Sequence, residues 1–197
     1  MDELGERILD AAVEAASIHG ITRLSVADVA KRAGLSRPTL YKRYPSKQAL
    51  LSAAIVREAA RVIAAVQQAV DAVDPREGGK AALVAGIGTA LRLLREHPLL
   101  DRIVRSEPET LVPALTTDDG LVLSVVRPPI EAMLADRFGP LDPVTSRRVA
   151  DMLTRLLISY ALNAPDDPPE VVANVVAAVV ADGAWSLVTD RIHQEGT

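Results

Sequence analysis

The chain has 197 residues, of which 49% are apolar and 3% aromatic, with no cysteine and a net charge of −4. The lack of cysteine excludes disulfides, thiolate metal sites and cysteine-based catalysis, and the dominance of Ala, Leu and Val favours a helical core. The first residues are acidic where a signal peptide needs basic ones, and charges or prolines interrupt the apolar stretches, so we expect a cytoplasmic protein without membrane association.

Two short helices are predicted first. Residues 3–19 have apolar side chains at helical spacing, and Gly20 suits the left-handed backbone that ends many helices. Ser25 and Asp28 then form a capping box before a second helix, which Gly34 ends.

A third short helix and a long fourth helix follow. Ser36 can cap the third, in which Pro38 is tolerated because it lies in the first turn. Pro45 ends that helix, and Ser46 caps a fourth, predicted over residues 47–73.

The remainder of the chain also has helical periodicity, separated by turn-rich breaks such as 74–79. The predicted helices cover residues 80–96, 121–138, 144–162 and 169–188. Residues 98–119 are predicted to form short helices and a loop, and Pro128-Pro129 are expected to kink or interrupt their helix. The valine doublets of the last segment would also suit a buried strand, but their four-residue spacing and the interleaved alanines favour a helix.

Residues 24–41 have the pattern of a helix-turn-helix, in which a second helix enters the major groove of DNA. The first helix would carry an apolar stripe formed by Val26, Val29 and Ala30. Gly34 would provide the positive φ of the turn, and Leu35 and Leu40 would fill the angle between the helices. Basic residues are also concentrated here: residues 1–50 contain eight Lys and Arg against six acids, the remainder 14 against 20. Polyanion binding is therefore expected at this end only.

Polar side chains on the outward face of the second helix are the candidate DNA contacts, and they are Arg37, Thr39, Tyr41 and Lys42. We expect Arg37, Thr39 and Lys42 to contact bases or adjacent phosphates, the alternative being a solvated face. Tyr41 and Lys47 are expected to clamp the DNA backbone.

Three further candidates allow two interpretations. Ser25 and Ser36 are helix caps first, although a helix amino terminus in a basic surface can also bind phosphate. Tyr44 could pack beneath the motif or reach a phosphate.

The motif resembles the TetR family of bacterial transcriptional repressors. The resemblance lies in residues 22–51, where the helix-turn-helix precedes the signature Tyr41-Lys-Arg-Tyr44-Pro-Ser-Lys47-Gln-Ala-Leu50. Tyr44 replaces the usual Phe, and Arg43 stands where His is common, which could alter DNA contacts. The resemblance implies an all-α fold of about nine helices, with a three-helix DNA-binding domain at 1–50 and a helical ligand-binding and dimerisation domain at 51–197.

The resemblance also implies partners. Members of the family bind palindromic double-stranded DNA operators as homodimers, usually through their last two helices, here 144–162 and 169–188. A small-molecule effector in the second domain usually releases the DNA. Residues 80–162 offer many apolar side chains and few polar anchors, which suits a hydrophobic or amphipathic effector as well as ordinary core packing. Its candidate polar anchors are His97, Arg127, Arg155 and Ser159, with Tyr160 also considered.

Each anchor has a structural alternative. Arg155 and Ser159 share a helix face and could orient a polar head group, yet a pair satisfied at a subunit interface or by a neighbouring carboxylate is the favoured explanation. His97 before Pro98 suits a helix end.

Catalysis is not expected. The three histidines lack metal-ligand spacing, Gly86-Ile-Gly88 lacks the third glycine of a dinucleotide site, and Asp118-Asp119 suits a turn. No catalytic residue, metal or cofactor is therefore predicted. The alternatives within the same fold are a transcriptional activator and a helical adaptor that binds protein instead of DNA.

Overall fold

The structure, a computed structural model, describes residues 2–107, 109, 121–138, 142–163 and 165–195, and all their side chains except those of 121, 161 and 184–195. Within these residues it contains no strand but nine α-helices and one 3₁₀ turn at Pro75–Glu77. The helices are α1 Glu3–His19, α2 Val26–Arg32, α3 Arg37–Arg43, α4 Lys47–Asp71, α5 Gly78–Glu96, α6 Pro98–Ser106, α7 Leu121–Phe138, α8 Pro143–Leu162 and α9 Pro169–Glu195.

The all-helical prediction is confirmed, and most helix ends agree with it within two residues. Helix α9 is a helix and not a strand, and it continues seven residues beyond the predicted end at 188. The expected loop after α6, with Asp118-Asp119, lies outside the described residues, as do residues 139–141 of the break predicted at 139–143.

Helix α7 runs through Pro128 and Pro129 without an interruption, which was one of the two outcomes expected there, the other being a kink. Each proline removes one N–H donor, but its ring holds φ near the helical value, so a helix packed on its neighbours can continue. Ile130 and Leu134 of this helix pack into a buried cluster. This apolar burial stabilises α7 despite the backbone hydrogen bonds that the two prolines remove.

The chain divides into two compact units. Unit one comprises residues 1–61 and 96–125, and unit two comprises 62–95 and 126–197. Unit one therefore contains α6 in addition to the helix-turn-helix, and α6 packs against α1. The predicted functional boundary at residue 50 stays a prediction.

The core of unit one is formed by side chains that are almost fully buried, among them Ile8, Leu9, Ala15, Val29, Leu40, Leu50 and Ile103. These include the apolar positions that define the helix-turn-helix pattern. Their burial fixes which faces of α2 and α3 point outward, because a short helix can bury only one side.

The core of unit two is aliphatic. Its larger cluster draws Leu83, Ile87 and Leu91 from α5, Ile130 and Leu134 from α7, Leu153 from α8, and Val172, Val176 and Val180 from α9. Small residues allow close approach: a Cβ at Gly86 would lie 3.0 Å from Val70, and one at Gly88 3.7 Å from Ala173. Among the described residues no helix is both long and apolar enough to cross a membrane.

Candidate nucleic-acid interface

The turn between α2 and α3 has the geometry that the sequence predicts. The Ser25 hydroxyl accepts a hydrogen bond from the Asp28 amide at 3.1 Å and so caps α2. Gly34 has φ +66°, and the Leu35 amide donates to the Ala30 carbonyl at 2.8 Å, which closes the end of α2. Leu40 is fully buried, so α3 is held by its inward side chain.

The outward side of α3 is polar and exposed. Arg37, Thr39, Tyr41 and Lys42 all have exposed side chains. Ser36 caps the helix by accepting from the Thr39 amide at 3.3 Å, and its hydroxyl lies 2.8 Å from that of Thr39. All the predicted α3 contacts are therefore exposed, on the sides of the helix that Leu40 does not occupy.

The cations on this surface differ in their partners. Arg43 forms a 2.8 Å ion pair with Asp2, and Arg32 pairs with Glu14. Within the part of the chain that the structure describes, Arg37 and Lys42 form no ion pair. An exposed cation without a carboxylate partner is free to contact phosphate or the acceptor atoms of guanine. Arg43, one of the two departures from the family signature, is therefore held by an acid, as Arg32 is.

The amino terminus of α4 adjoins the motif. Lys47 is partly buried, and its Nζ donates to the Thr22 carbonyl at 2.9 Å, which leaves two of its three N–H groups for other acceptors. Tyr44 is also partly buried, so both of its predicted roles stay open. Ser46 caps α4 by accepting from the Ala49 amide at 3.0 Å.

Two polar residues that the sequence analysis did not single out also support unit one. Arg57 of α4 is 6% exposed and bonds the Glu6 carbonyl and the Glu6, Asp10 and Glu58 carboxylates. Glu107 follows α6 and accepts from Thr22 through two hydrogen bonds. Their partners lie between about 50 and 85 residues away, apart from Glu58, so no local pattern could reveal them.

The predicted effector anchors are divided between the two units. His97 belongs to unit one, where it caps α6 and its Nε2 lies 3.3 Å from Glu58. In unit two, Arg127 and Arg155 approach the same carboxylate, Asp151, at 3.5 and 2.7 Å. Ser159 is exposed on the outer face of α8. The roles of these residues in binding an effector stay predictions.

The contact between His97 and Glu58 is expected to make the stability of the protein depend on pH. Hydrogen bonding by His97 and then by Arg57, against the opposing effect of burial, lowers the pKa of Glu58 to about 2. Because the folded pKa lies below the unfolded value, Glu58 contributes stability at neutral pH that is lost as pH falls from near 4.5 towards 2. We expect His97→Ala to raise the pKa of Glu58, as measured by NMR titration of its carboxyl carbon. An unchanged titration would contradict the assigned contact, and Glu96→Ala, beside His97, is the control.

Sequence profiles of two domains match the chain. That of bacterial regulatory proteins of the tetR family covers residues 8–54, and that of the bacterial tetracyclin repressor C-terminal domain covers 79–182. An uncharacterised HTH-type transcriptional regulator of Mycobacterium bovis is 30% identical over 162 residues, 81% of this chain and 79% of its own length. The HTH-type transcriptional regulator AlkX of Mycobacterium tuberculosis is 26% identical over 177 residues, 88% of this chain and 80% of its own.

Solved structures share the fold. The TetR family repressor AlkX from Dietzia, described as implicated in biodegradation of n-alkanes, superposes with a TM-score of 0.72 at 24% identity, covering 92% of this chain and 95% of its own. The regulator FadR from Bacillus subtilis, solved in complex with stearoyl-CoA, has a TM-score of 0.63 at 18% identity, with 89% and 96% covered.

Proposed function

Because the chain belongs to the TetR family of bacterial transcriptional regulators, we propose that it represses transcription by binding a palindromic operator as a dimer and leaves the DNA when an apolar effector binds. The observation that carries the proposal is the outward face of α3. Arg37, Thr39, Tyr41 and Lys42 are exposed there, and in the described structure neither Arg37 nor Lys42 is engaged by a carboxylate. A protein-binding adaptor would not need this polar face.

Dimerisation through α8 and α9 is supported by the two apolar faces of α9. Val172, Val176 and Val180 are buried in unit two, whereas Val171, Val175 and Val179 are 48%, 62% and 70% exposed. Val144 and Met152 add exposed apolar surface on α8. Large apolar side chains that share one exposed side of a helix mark a surface that a partner covers, and a second copy also supplies the second recognition helix.

The effector is proposed to be hydrophobic or amphipathic with a long alkyl chain. Unit two offers an aliphatic interior with few polar side chains, which favours ligands that gain mainly from apolar burial. The proposal also draws on two proteins of the same fold, one solved with stearoyl-CoA and one implicated in biodegradation of n-alkanes.

The proposed function is tested by selecting duplexes from a random pool with the purified protein and then screening alkanes, fatty acids and acyl-CoA thioesters for release of the selected duplex. We expect enrichment of an inverted repeat and release by at least one long-chain compound. Failure to enrich any sequence at low salt would contradict the DNA-binding proposal. Enrichment without release by any of these compounds would contradict the effector class alone.

Lys42 provides a sharper test of base readout. We expect Lys42→Ala to weaken binding to the selected duplex by about ten-fold or more, since a base contact contributes ~1–3 kcal/mol, and to weaken binding to random DNA less. Fluorescence anisotropy on both duplexes measures the two constants. Lys80→Ala removes the same charge from an exposed position in unit two and serves as the control. Equal losses on both duplexes would mean that Lys42 contacts phosphate only.

A further inference from the structure

Glu107 occupies an unfavourable position for a helix end. It follows α6 directly, and its amide donates to the Ile103 carbonyl at 2.8 Å. A negative charge at the carboxyl end of a helix opposes the helix dipole, and Glu107 is only 9% exposed. Local structure therefore does not account for an acidic residue at this position. The explanation must lie in the groups that Glu107 contacts.

Those partners lie in the segment between α1 and α2. Oε2 of Glu107 accepts from the Thr22 amide at 2.9 Å and from the Thr22 hydroxyl at 3.0 Å. Oε1 packs against Gly20, which has φ +83°, so closely that a Cβ at this position would overlap it. The carboxylate thus fills the space that the glycine leaves, and among the described residues it forms no ion pair that would compensate its charge.

The same threonine also holds a candidate DNA contact. The Thr22 carbonyl accepts from Nζ of Lys47 at 2.9 Å. Glu107 binds the amide and hydroxyl of Thr22, and Lys47 binds its carbonyl, so one residue connects α6 with the amino terminus of α4. All three residues belong to unit one.

We propose that Glu107, although it lies outside the helix-turn-helix, is a positioning residue for DNA binding: it fixes Thr22, and Thr22 in turn orients Lys47 towards a DNA phosphate. The proposal rests on the proposed function and adds a residue from α6 to its site. An ammonium held by one neutral acceptor keeps two donors in fixed directions, which reduces the entropy lost when the phosphate binds.

Electrostatics alone predicts the opposite sign. Removal of a carboxylate from a DNA-binding unit reduces repulsion of the phosphates, so a purely Coulombic effect of Glu107→Ala would strengthen binding. Loss of positioning would weaken it. The exposed Glu109 provides the matched control, because Glu109→Ala removes the same charge two residues away.

The experiment measures the affinity of the full-length protein for its selected duplex, by anisotropy well below the midpoint of thermal unfolding. We expect Glu107→Ala to weaken binding about ten-fold, equivalent to about 1.4 kcal/mol, because Lys47 would lose its fixed orientation before the phosphate binds. Glu107→Gln, which keeps an acceptor oxygen, should stay within about three-fold of the parent, and Glu109→Ala should bind as well as the parent or better. In the Lys47→Ala background, Glu107→Ala should cause no further loss, because the two residues act on one contact.

The proposal is overturned if Glu107→Ala binds the selected duplex as tightly as the parent or more tightly. It is also overturned if the loss of affinity caused by Glu107→Ala adds fully to the loss caused by Lys47→Ala. If Glu107→Ala does not fold, Thr22→Val replaces it, since it removes only the hydroxyl donor. The proposal is supported if Thr22→Val weakens DNA binding in the parent but has no effect in the Lys47→Ala background. It is overturned if Thr22→Val leaves DNA binding of the parent unchanged. If the parent selects no duplex, both the proposed function and this inference are overturned. If the parent does select DNA, the variants test the role of Glu107 separately from the proposed function.

Discussion

Replacement of Arg57 by alanine is expected to lower the free energy of unfolding by about 3–5 kcal/mol, the usual effect of removing one partner from a buried ion pair. Arg57 is 6% exposed, and its guanidinium lies 2.8 Å from Asp10, 3.3 Å from Glu6 and 2.6 Å from Glu58. It also donates to the Glu6 carbonyl at 3.1 Å, so it joins α4 to α1. Its loss leaves Glu58 desolvated without its main cation. Urea unfolding monitored by circular dichroism measures the change.

Arg61 provides the matched control for this prediction. It contacts the same three acids, Glu6, Asp10 and Glu58, at 2.9–3.3 Å, but its side chain is 50% exposed. Solvent screens exposed pairs, so Arg61→Ala should cost less than about 1 kcal/mol. Equal effects of the two substitutions would show that burial is not the source of the stabilisation by Arg57.

The double variant Val175→Asp/Val179→Asp is expected to be monomeric at concentrations where the parent is a dimer. Both valines are mostly exposed in one copy of the chain, so their replacement should leave the helix folded while placing two charges in the proposed interface. A monomer reaches one half of an operator at a time, and affinity for the full palindrome should fall about a hundred-fold or more. Sedimentation analysis measures the assembly, and anisotropy on full and half operators measures the affinity.

A second substitution separates assembly from surface charge. Ala64→Asp adds a carboxylate at an exposed position of α4, a different helix from the one that carries Val175 and Val179, and should leave both the dimer and DNA binding intact. A parent protein that sediments as a monomer would contradict the proposed interface. A double variant that stays dimeric would place the interface elsewhere.

The effector site is the part of the function for which sequence patterns were least informative. Arg155 and Ser159 are four residues apart on α8, but Ser159 is exposed, Arg155 is partly buried, and Asp151 engages Arg155 at 2.7 Å. This arrangement agrees with the structural alternative that a carboxylate satisfies Arg155. The distinction between inward and outward faces depends on which side of α8 is buried, and an i, i+4 spacing is the same on both sides.

The amino-acid sequence by itself determined most of the helices, the turn at Gly34 and the position of the helix-turn-helix. These features depend on interactions between residues a few positions apart: caps such as Ser25 and Ser36, a glycine with positive φ, and apolar spacing at 3.6 residues per turn. The family signature at residues 41–50 is also a short local pattern, so it can be recognised from the sequence alone.

Only the tertiary structure decided which polar groups meet. Arg57 contacts Glu6, which is 51 residues away in the sequence, and Glu107 contacts Thr22, which is 85 residues away. Neither contact produces a periodic pattern in the sequence. Likewise, the valines of α9 are alike in sequence, and packing alone buries Val176 while it leaves Val175 exposed. Long-range partners depend on how helices pack, because close packing sets the contacts between distant segments while local spacing sets only the helices themselves.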